Sequence, residues 1–226
     1  MKPLLVVVGL RAEARIAAAA DVRVAIGGGD RHRLAQAIDL AIHEGVCGIM
    51  SFGLAGGLAP ALRPGAIVIA RSILTADERV VADIAWSQSL AGALPGAVLA
   101  DMAGVDRPVF KAVAKRDLHG TTGAVIADME SHIAGRAASR HGLPFASVRV
   151  VADPSHCDLP PAALIAMKPD GNIHLAAVLQ SLLRYPGQLP AVIRITIHTA
   201  VAFGILHSAR RNMGSFLADH LVRDGH

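Results

Sequence analysis

Residues Leu4-Leu5-Val6-Val7-Val8 form an unbroken apolar run that stops at Gly9. A strand sends successive side chains to opposite faces, so such a run asks for cover on both faces. Sheets covered on both faces are layered by helices, which points this chain to an α/β fold. The pattern continues downstream. Asp21 to Ile26 reads as a strand ended by Gly27-Gly28-Gly29, and His32 to Glu44 carries helical spacing through Leu34, Ile38, Ala41 and Ile42. Gly48 to Phe52 is a short strand before Gly53-Leu54-Ala55-Gly56-Gly57, and Ala66 to Ala70 is a strand introduced by Pro64-Gly65.

From Arg71 to Gly120 the pattern is least legible, with a strand at Ala97 to Met102 and a helix at Pro108 to Arg116 as its expected elements. Ala124 to Asp128 is a short strand, Glu130 to His141 a helix stopped by Gly142 and Pro144, and Ala146 to Val151 a strand. After Asp153 no further strand is convincing. Pro160 to Met167, Ile173 to Leu183 and Pro190 to Arg211 read as helices divided by Pro and Gly. The expectation is one domain over 1–226, with 154–226 as a helical C-terminal extension.

Aromatic residues make up 3% of the chain, so Ala, Val, Ile and Leu must build the core, and an aromatic platform for nucleic acid is excluded. The formal charge is +4, and residues from Pro160 onward carry six basic against three acidic side chains. A weakly basic apolar tail suits an anionic membrane surface, although charge alone better describes a solvated helix face. Arg194 and His198 interrupt the apolar stretch Leu189 to Leu206, which makes it a poor membrane-spanning helix. Ile193, Ile197 and Val201 share one row on it; packing on the sheet would make that row core, and an open groove would make it a binding face. Cys47 and Cys157 are expected as free thiols. No spaced ligand set for a metal, no Ser-centred nucleophile elbow and no Walker lysine occurs.

Three acids fall at expected strand ends. Glu13 lies just past the first strand, Glu130 follows Met129 at a helix start, and Asp153 ends the apolar run from Phe145. The carboxyl ends of strands are where open α/β sheets bind ligands. Each acid has a plainer reading: a helix-start carboxylate or a partner of Arg11 or Arg15 for Glu13, a helix N-terminal acid for Glu130, and a turn cap for Asp153. The glycine clusters likewise read as tight turns, or as places where backbone approaches a sugar, a base or an anion.

Taken in order, Gly9 to Glu13, Ile26 to Gly29, Ser51 to Leu58 with Pro64-Gly65-Ala66-Ile67-Val68, Asp128-Met129-Glu130 and Arg149-Val150-Val151-Ala152-Asp153 resemble the purine nucleoside phosphorylase and methylthioadenosine/S-adenosylhomocysteine nucleosidase superfamily. A narrower similarity is to its hopanoid-associated phosphorylase subgroup. It rests on Asp128 to His132, Leu159-Pro160-Pro161, Asp170-Gly171 and Pro186-Gly187-Gln188-Leu189-Pro190. The resemblance implies a central mixed, twisted sheet flanked by helices. It implies N-glycosidic cleavage of an adenosine-type nucleoside, adenosylhopane above all, to adenine and a ribosyl-hopane product. Small soluble thio-adenosines and non-catalytic nucleoside binding stand as alternatives.

By the same resemblance Asp153 would protonate the purine and Glu13 would activate the attacking water. Glu130 would hold ribose hydroxyls, Met129 would pack on the nucleoside, and Ala55 and Gly56 would line sugar and base. No cofactor or metal is implied, and inorganic phosphate stays open as a co-substrate. Leu54 stands where relatives often carry a small polar residue, which weakens a phosphate site, though Arg11, Arg15, Arg31 and Arg71 remain to supply one. Ala152 replaces the Ser usual before the acid. The implied setting is a cytoplasmic homo-oligomer that binds no nucleic acid and touches the inner membrane peripherally.

Overall fold

The structure is a computed structural model, and it describes residues 2–165, 171–172 and 174–214. Asp170, most of the expected Met167 end of its helix, and Arg223 lie outside them.

The opening apolar run is β1 (Leu4–Val8), and all five of its side chains are buried. Leu5 and Val7 enter one core cluster and Leu4, Val6 and Val8 the other, so the strand is covered on both faces. It lies between two parallel neighbours, β2 (Val22–Ile26) and β3 (Ile49–Gly57). Between them run α1 (Arg11–Ala17) and α2 (Arg31–His43), the latter capped by Asp30, whose carboxylate accepts from the N–H groups of His32 and Arg33.

The middle of the chain contributes β4 (Ile67–Leu74), β5 (Arg79–Val81), α3 (Ile84–Ala93), β6 (Val98–Gly104) and α4 (Ala112–Thr122). Then follow β7 (Ile126–Asp128), α5 (Ser131–Arg140) and β8 (Phe145–Asp153). The strands form one eight-stranded mixed sheet ordered β2-β1-β3-β7-β6-β4-β5, with β8 bridging β3 and β4. Since β8 pairs parallel with β3 and antiparallel with β4, the run β3-β8-β4-β6-β7 closes on itself. This closure places the ends of β3, β7 and β8 side by side.

Helices α2 and α5 cover one face through Leu34, Ile38, Ala134 and Ala138. On the other face α1, α3 and the last helix, α8 (Leu189–Met213), bring Ala17, Trp86, Leu90, Ala202, Leu206 and Met213 to the sheet. Before α8 come the single turn α6 (Pro161–Leu164) and α7 (Leu175–Arg184).

The sequence placed most of these elements, with instructive differences. The expected helix at Pro108 to Arg116 begins at Ala112, because the Ala112 N–H is capped by Asp158 Oδ1 at 2.8 Å, a residue far along the chain. The Gly53 to Gly57 segment is not a turn. It is the second half of β3, with a bulge between Ala55 and Gly56 where the pairing register shifts. α1, α3 and β5 were not anticipated. The row Ile193, Ile197 and Val201 does not join the core, since each of these side chains is about half exposed.

Candidate active site

Gly56 is the junction on which the site is built. On one side it pairs with Ala127 of β7, two residues before Met129; on the other it pairs with Asp153 of β8. A Cβ at Gly56 would lie 3.4 Å from Asp153 Oδ1, so the missing side chain leaves room beside the acid. The bulge re-aims the strand at this point. The result is a cavity of about 210 Å³ lined by Glu13, Glu130, Asp153, Met129, Ala55 and Gly56 among others. All six candidate site residues therefore meet in one place.

Each acid reaches the cavity by a different device. Glu13 sits in the first turn of α1, where its carboxylate accepts from the N–H groups of Gly9 and Leu10, both at 2.8 Å, and of Leu54, also at 2.8 Å. The helix-start reading of Glu13 thus describes half of its role, and the bond to Leu54 ties α1 to the outer half of β3. Gly53 makes that approach feasible, because a Cβ there would come within 2.6 Å of Glu13 Oε1. A carboxylate has about four acceptor directions and three are used, which leaves one toward the cavity. Burial raises the Glu13 pKa, against the pull of Arg149 and the three backbone donors.

Glu130 does not cap α5. Asp128 does, with Oδ1 accepting from the N–H groups of Glu130 at 2.9 Å and Ser131 at 2.7 Å. The Glu130 side chain is released to turn inward toward Arg149, whose guanidinium is 3.2 Å from Oε2. It fits between Gly9 and Gly27, at each of which a Cβ would lie about 3 Å away, at 3.0 and 3.1 Å. The first glycine turn accordingly makes space for a carboxylate of the protein itself.

Arg149, quoted in the strand motif without a role, is fully buried. It donates to Ser51 Oγ at 2.6 Å and to the Leu54 carbonyl at 3.2 Å, and stands 3.1 Å from Asp128 Oδ1. Burial would lower its pKa, but the charges of Asp128, Glu130 and Glu13 outweigh that and raise it. One cation facing three acids leaves the cluster short of positive charge. Glu130 responds: burial, opposed by Arg149 and reinforced by Asp128 and Glu13, pushes its pKa up to about 7. The second oxygen of Asp128 is buried and has no partner among the described residues, so it can accept from a ligand.

Asp153 is not a turn cap. Its carboxylate forms a short contact with Lys115 of α4, a fully buried lysine that also donates to the carbonyls of Pro154 at 3.1 Å and Cys157 at 3.0 Å. Burial raises the Asp153 pKa against the charge and hydrogen bond of Lys115 and a weaker pull from His198 of α8. Lys115 was missed because the expected helix around it was read only as structure. In the sequence Lys115 stands beside Arg116 and Asp117 and four residues after Lys111, a charged stretch that reads as a solvated helix face and does not reveal burial.

The lining includes an apolar set, Val105, Pro108, Val109 and Leu159, that is exposed or half-buried and so borders the cavity mouth. None of Arg11, Arg15, Arg31 and Arg71 lines it. Arg31 instead pairs with Asp106 at 2.6 Å beside a smaller neighbouring cavity, and Arg71 faces Asp101 at 3.8 Å. Among the described residues no group of three His, Cys, Asp or Glu side chains is disposed to hold a metal ion, and Cys47 and Cys157 are free thiols.

The family model described as the phosphorylase superfamily matches residues 102–184, a span that carries Lys115, Glu130, Arg149 and Asp153. No curated protein matches the sequence. Among solved structures, futalosine hydrolase of Helicobacter pylori aligns at 13% identity with a TM-score of 0.63, covering 81% of this chain and 97% of that one. The 5'-methylthioadenosine/S-adenosylhomocysteine nucleosidase of S. pneumoniae, bound to a transition-state inhibitor, aligns at 14% identity with a TM-score of 0.64, covering 93% and 99%. The S-adenosylhomocysteine nucleosidase of Streptococcus pyogenes, in complex with 5-methylthiotubericidin, gives 14% and 0.64 over 94% and 97%. At these identities the likeness establishes a nucleosidase-like fold, a central mixed sheet flanked by helices with a C-terminal helix added.

Proposed function

We propose that this protein cleaves the N-glycosidic bond of an adenosine-type nucleoside at the Glu13, Glu130 and Asp153 cavity. The observation that carries the reading is the convergence of three buried acids from three separate elements on one small cavity. Asp153 donates a proton to the departing purine, and the raised affinity of a buried carboxyl for protons suits it to that work. Lys115 keeps the carboxyl oriented. Glu130 accepts from the ribose hydroxyls while its negative charge, with that of Asp128, steadies the cationic sugar that forms as the bond breaks. Glu13 uses its remaining acceptor direction to orient and deprotonate the attacking water. Met129, Ala55 and Gly56 pack on sugar and base.

Hydrolysis is favoured over phosphorolysis. The buried cations near the cavity, Arg149 and Lys115, are already engaged by carboxylates, and the four candidate arginines stand outside its lining. The cavity is about 210 Å³, below the usual range for a pocket that encloses a whole drug-sized ligand. It therefore takes the nucleoside head, and the 5' substituent passes the apolar mouth. We assign that substituent as a hopanoid lipid, making adenosylhopane the substrate, with a cytoplasmic homo-oligomer working at the membrane face. A second reading, cleavage of small thio-adenosines, is favoured by the similarity of the fold to the two streptococcal nucleosidases.

The test is adenine release from adenosylhopane in detergent and from methylthioadenosine, each with and without phosphate. Release from the lipid nucleoside without phosphate supports the proposal. Release from methylthioadenosine alone selects the second reading, and release from neither refutes catalysis.

A further inference from the structure

Among the described residues, α7 and the N-terminal half of α8 carry an apolar surface that the cavity lining does not include. The C-terminal half of α8 is anchored, with Ala202, Leu206, Ala209 and Met213 buried against the sheet. Its N-terminal half and α7 are not. Leu183 is 85% exposed and Leu179, Tyr185, Leu189, Ile193 and Ile197 are each about half exposed or more. On α8 the positions Leu189, Ile193, Ile197 and Val201 recur every four residues, so they form one stripe. The stretch Pro186–Met213 is long and apolar enough to cross a membrane, and only 11% of its most apolar window is buried. Length and composition alone therefore admit a span, with Arg194 and His198 inside it.

Charge identifies the cover for this stripe. Between Gly171 and Gly214 the sequence contains no Asp or Glu, but it contains Arg184, Arg194, Arg210 and Arg211. Arg184 and Arg194 flank the exposed tip, and the Arg184 guanidinium lies 5.9 Å from the Tyr185 ring. An apolar stripe flanked by arginines and an aromatic residue, with no acid to repel phosphate, complements an anionic lipid surface. A soluble neighbour would be met equally well by mixed charge.

We infer that the α7–α8 segment docks this protein on anionic membranes, its Tyr185–Leu189 turn dipping into one leaflet. Depth follows from length. From Leu189 to Val201 the helix rises about 18 Å, short of the hydrocarbon core of about 30 Å, and beyond Val201 the helix is held by the sheet. The segment therefore inserts without spanning. The Gln188 side chain accepts from the Ala162 N–H at 3.1 Å, and the segment just before it, Leu159, lines the cavity mouth. Docking would thus bring the apolar mouth beside the lipid surface. The inference deepens the proposed membrane contact but does not depend on turnover.

The test uses the full chain and vesicles of phosphatidylcholine, alone or mixed with phosphatidylglycerol. Co-sedimentation with the mixed vesicles is expected. The double change Ile193→Glu with Ile197→Glu should weaken it by at least about a hundredfold. Replacing Arg184 and Arg194 by Gln should weaken it by about fivefold per arginine and abolish the preference for phosphatidylglycerol. In Tyr185→Trp the new indole should be quenched by brominated lipid, while buried Trp86 is not. Far-UV circular dichroism and thermal unfolding check that each variant still folds, and because neither readout nor vesicle binding needs turnover, failure of the catalytic reading is distinguished from failure of this inference. Binding that is absent, or unchanged in the Ile193/Ile197 variant, overturns the inference. So does a soluble dimer that the same variant dissociates, because a second copy would then cover the stripe.

Discussion

Lys115→Met removes a fully buried charge while keeping most of the side chain's length. Asp153 then loses the cation it contacts, and the carbonyls of Pro154 and Cys157 lose a donor. Breaking a buried pair costs about 3–5 kcal/mol when the remaining charge must stay. Asp153 has an escape, since it can take up a proton. Against an unfolded value of about 3.9, protonation costs about 4 kcal/mol at pH 7 but only about 1.5 kcal/mol at pH 5. The sign follows from linkage: the folded variant holds a proton that the unfolded chain releases, so stability falls as pH rises. The expected penalty relative to wild type is therefore about 3–4 kcal/mol at pH 7, shrinking to about 2 kcal/mol at pH 5. Urea unfolding of both proteins at matched pH reads this difference, and contributions common to both, such as Glu130, cancel. A penalty below about 1 kcal/mol, or one that does not change with pH, would refute the argument that Lys115 opposes the rise that burial imposes on the Asp153 pKa.

Glu130, with a folded pKa of about 7 against an ordinary 4.5, is protonated in the fold where the unfolded chain has lost its proton. Glu130→Gln should therefore stabilise the protein by up to about 3 kcal/mol above pH 7 and have little effect below pH 4.5, while raising KM for any ribose-bearing ligand. Thermal unfolding across that pH range checks it; equal effects at both ends would contradict the assignment. Gly53→Ala would drive a methyl to within 2.6 Å of Glu13 Oε1 at a φ of +152°. A loss of about 1–3 kcal/mol and a fall in turnover larger than the change in KM are expected, and a silent substitution would count against Glu13's place beneath the strand. Asp158→Ala deletes the long-range cap on α4 and should cost about 1 kcal/mol, measured by denaturant midpoint.

The elements that the sequence disclosed were those whose pattern is local. β1 and β8 are unbroken apolar runs, α2 carries Asp30 before a helical period, and α5 ends at Gly142. Elements defined by distant partners stayed hidden. α4 starts where Asp158 caps it, and β5 exists only as a partner of β4. The same division runs through the site. Glu13, Glu130 and Asp153 stood out because they fall together at expected strand ends, and the family resemblance is what singled them out from helix-start and turn acids. Their partners could not, since Lys115 and Arg149 are buried by tertiary packing that no spacing encodes. The glycines at 53 and 56 looked like turns because the sequence cannot tell a tight loop from a strand crowded by an acid. The exposed row on α8 was ambiguous for a related reason: a stripe of Ile and Val looks the same whether a sheet or a lipid covers it.

The most direct test of the central claim is adenine release by Asp153→Asn beside wild type, on whichever nucleoside wild type cleaves, with binding of that nucleoside measured in parallel. The account predicts a fall in kcat of about 10²–10⁴-fold with the affinity largely kept, because a proton donor is lost while the cavity stays. Adenine release at the wild-type rate in the variant would contradict it.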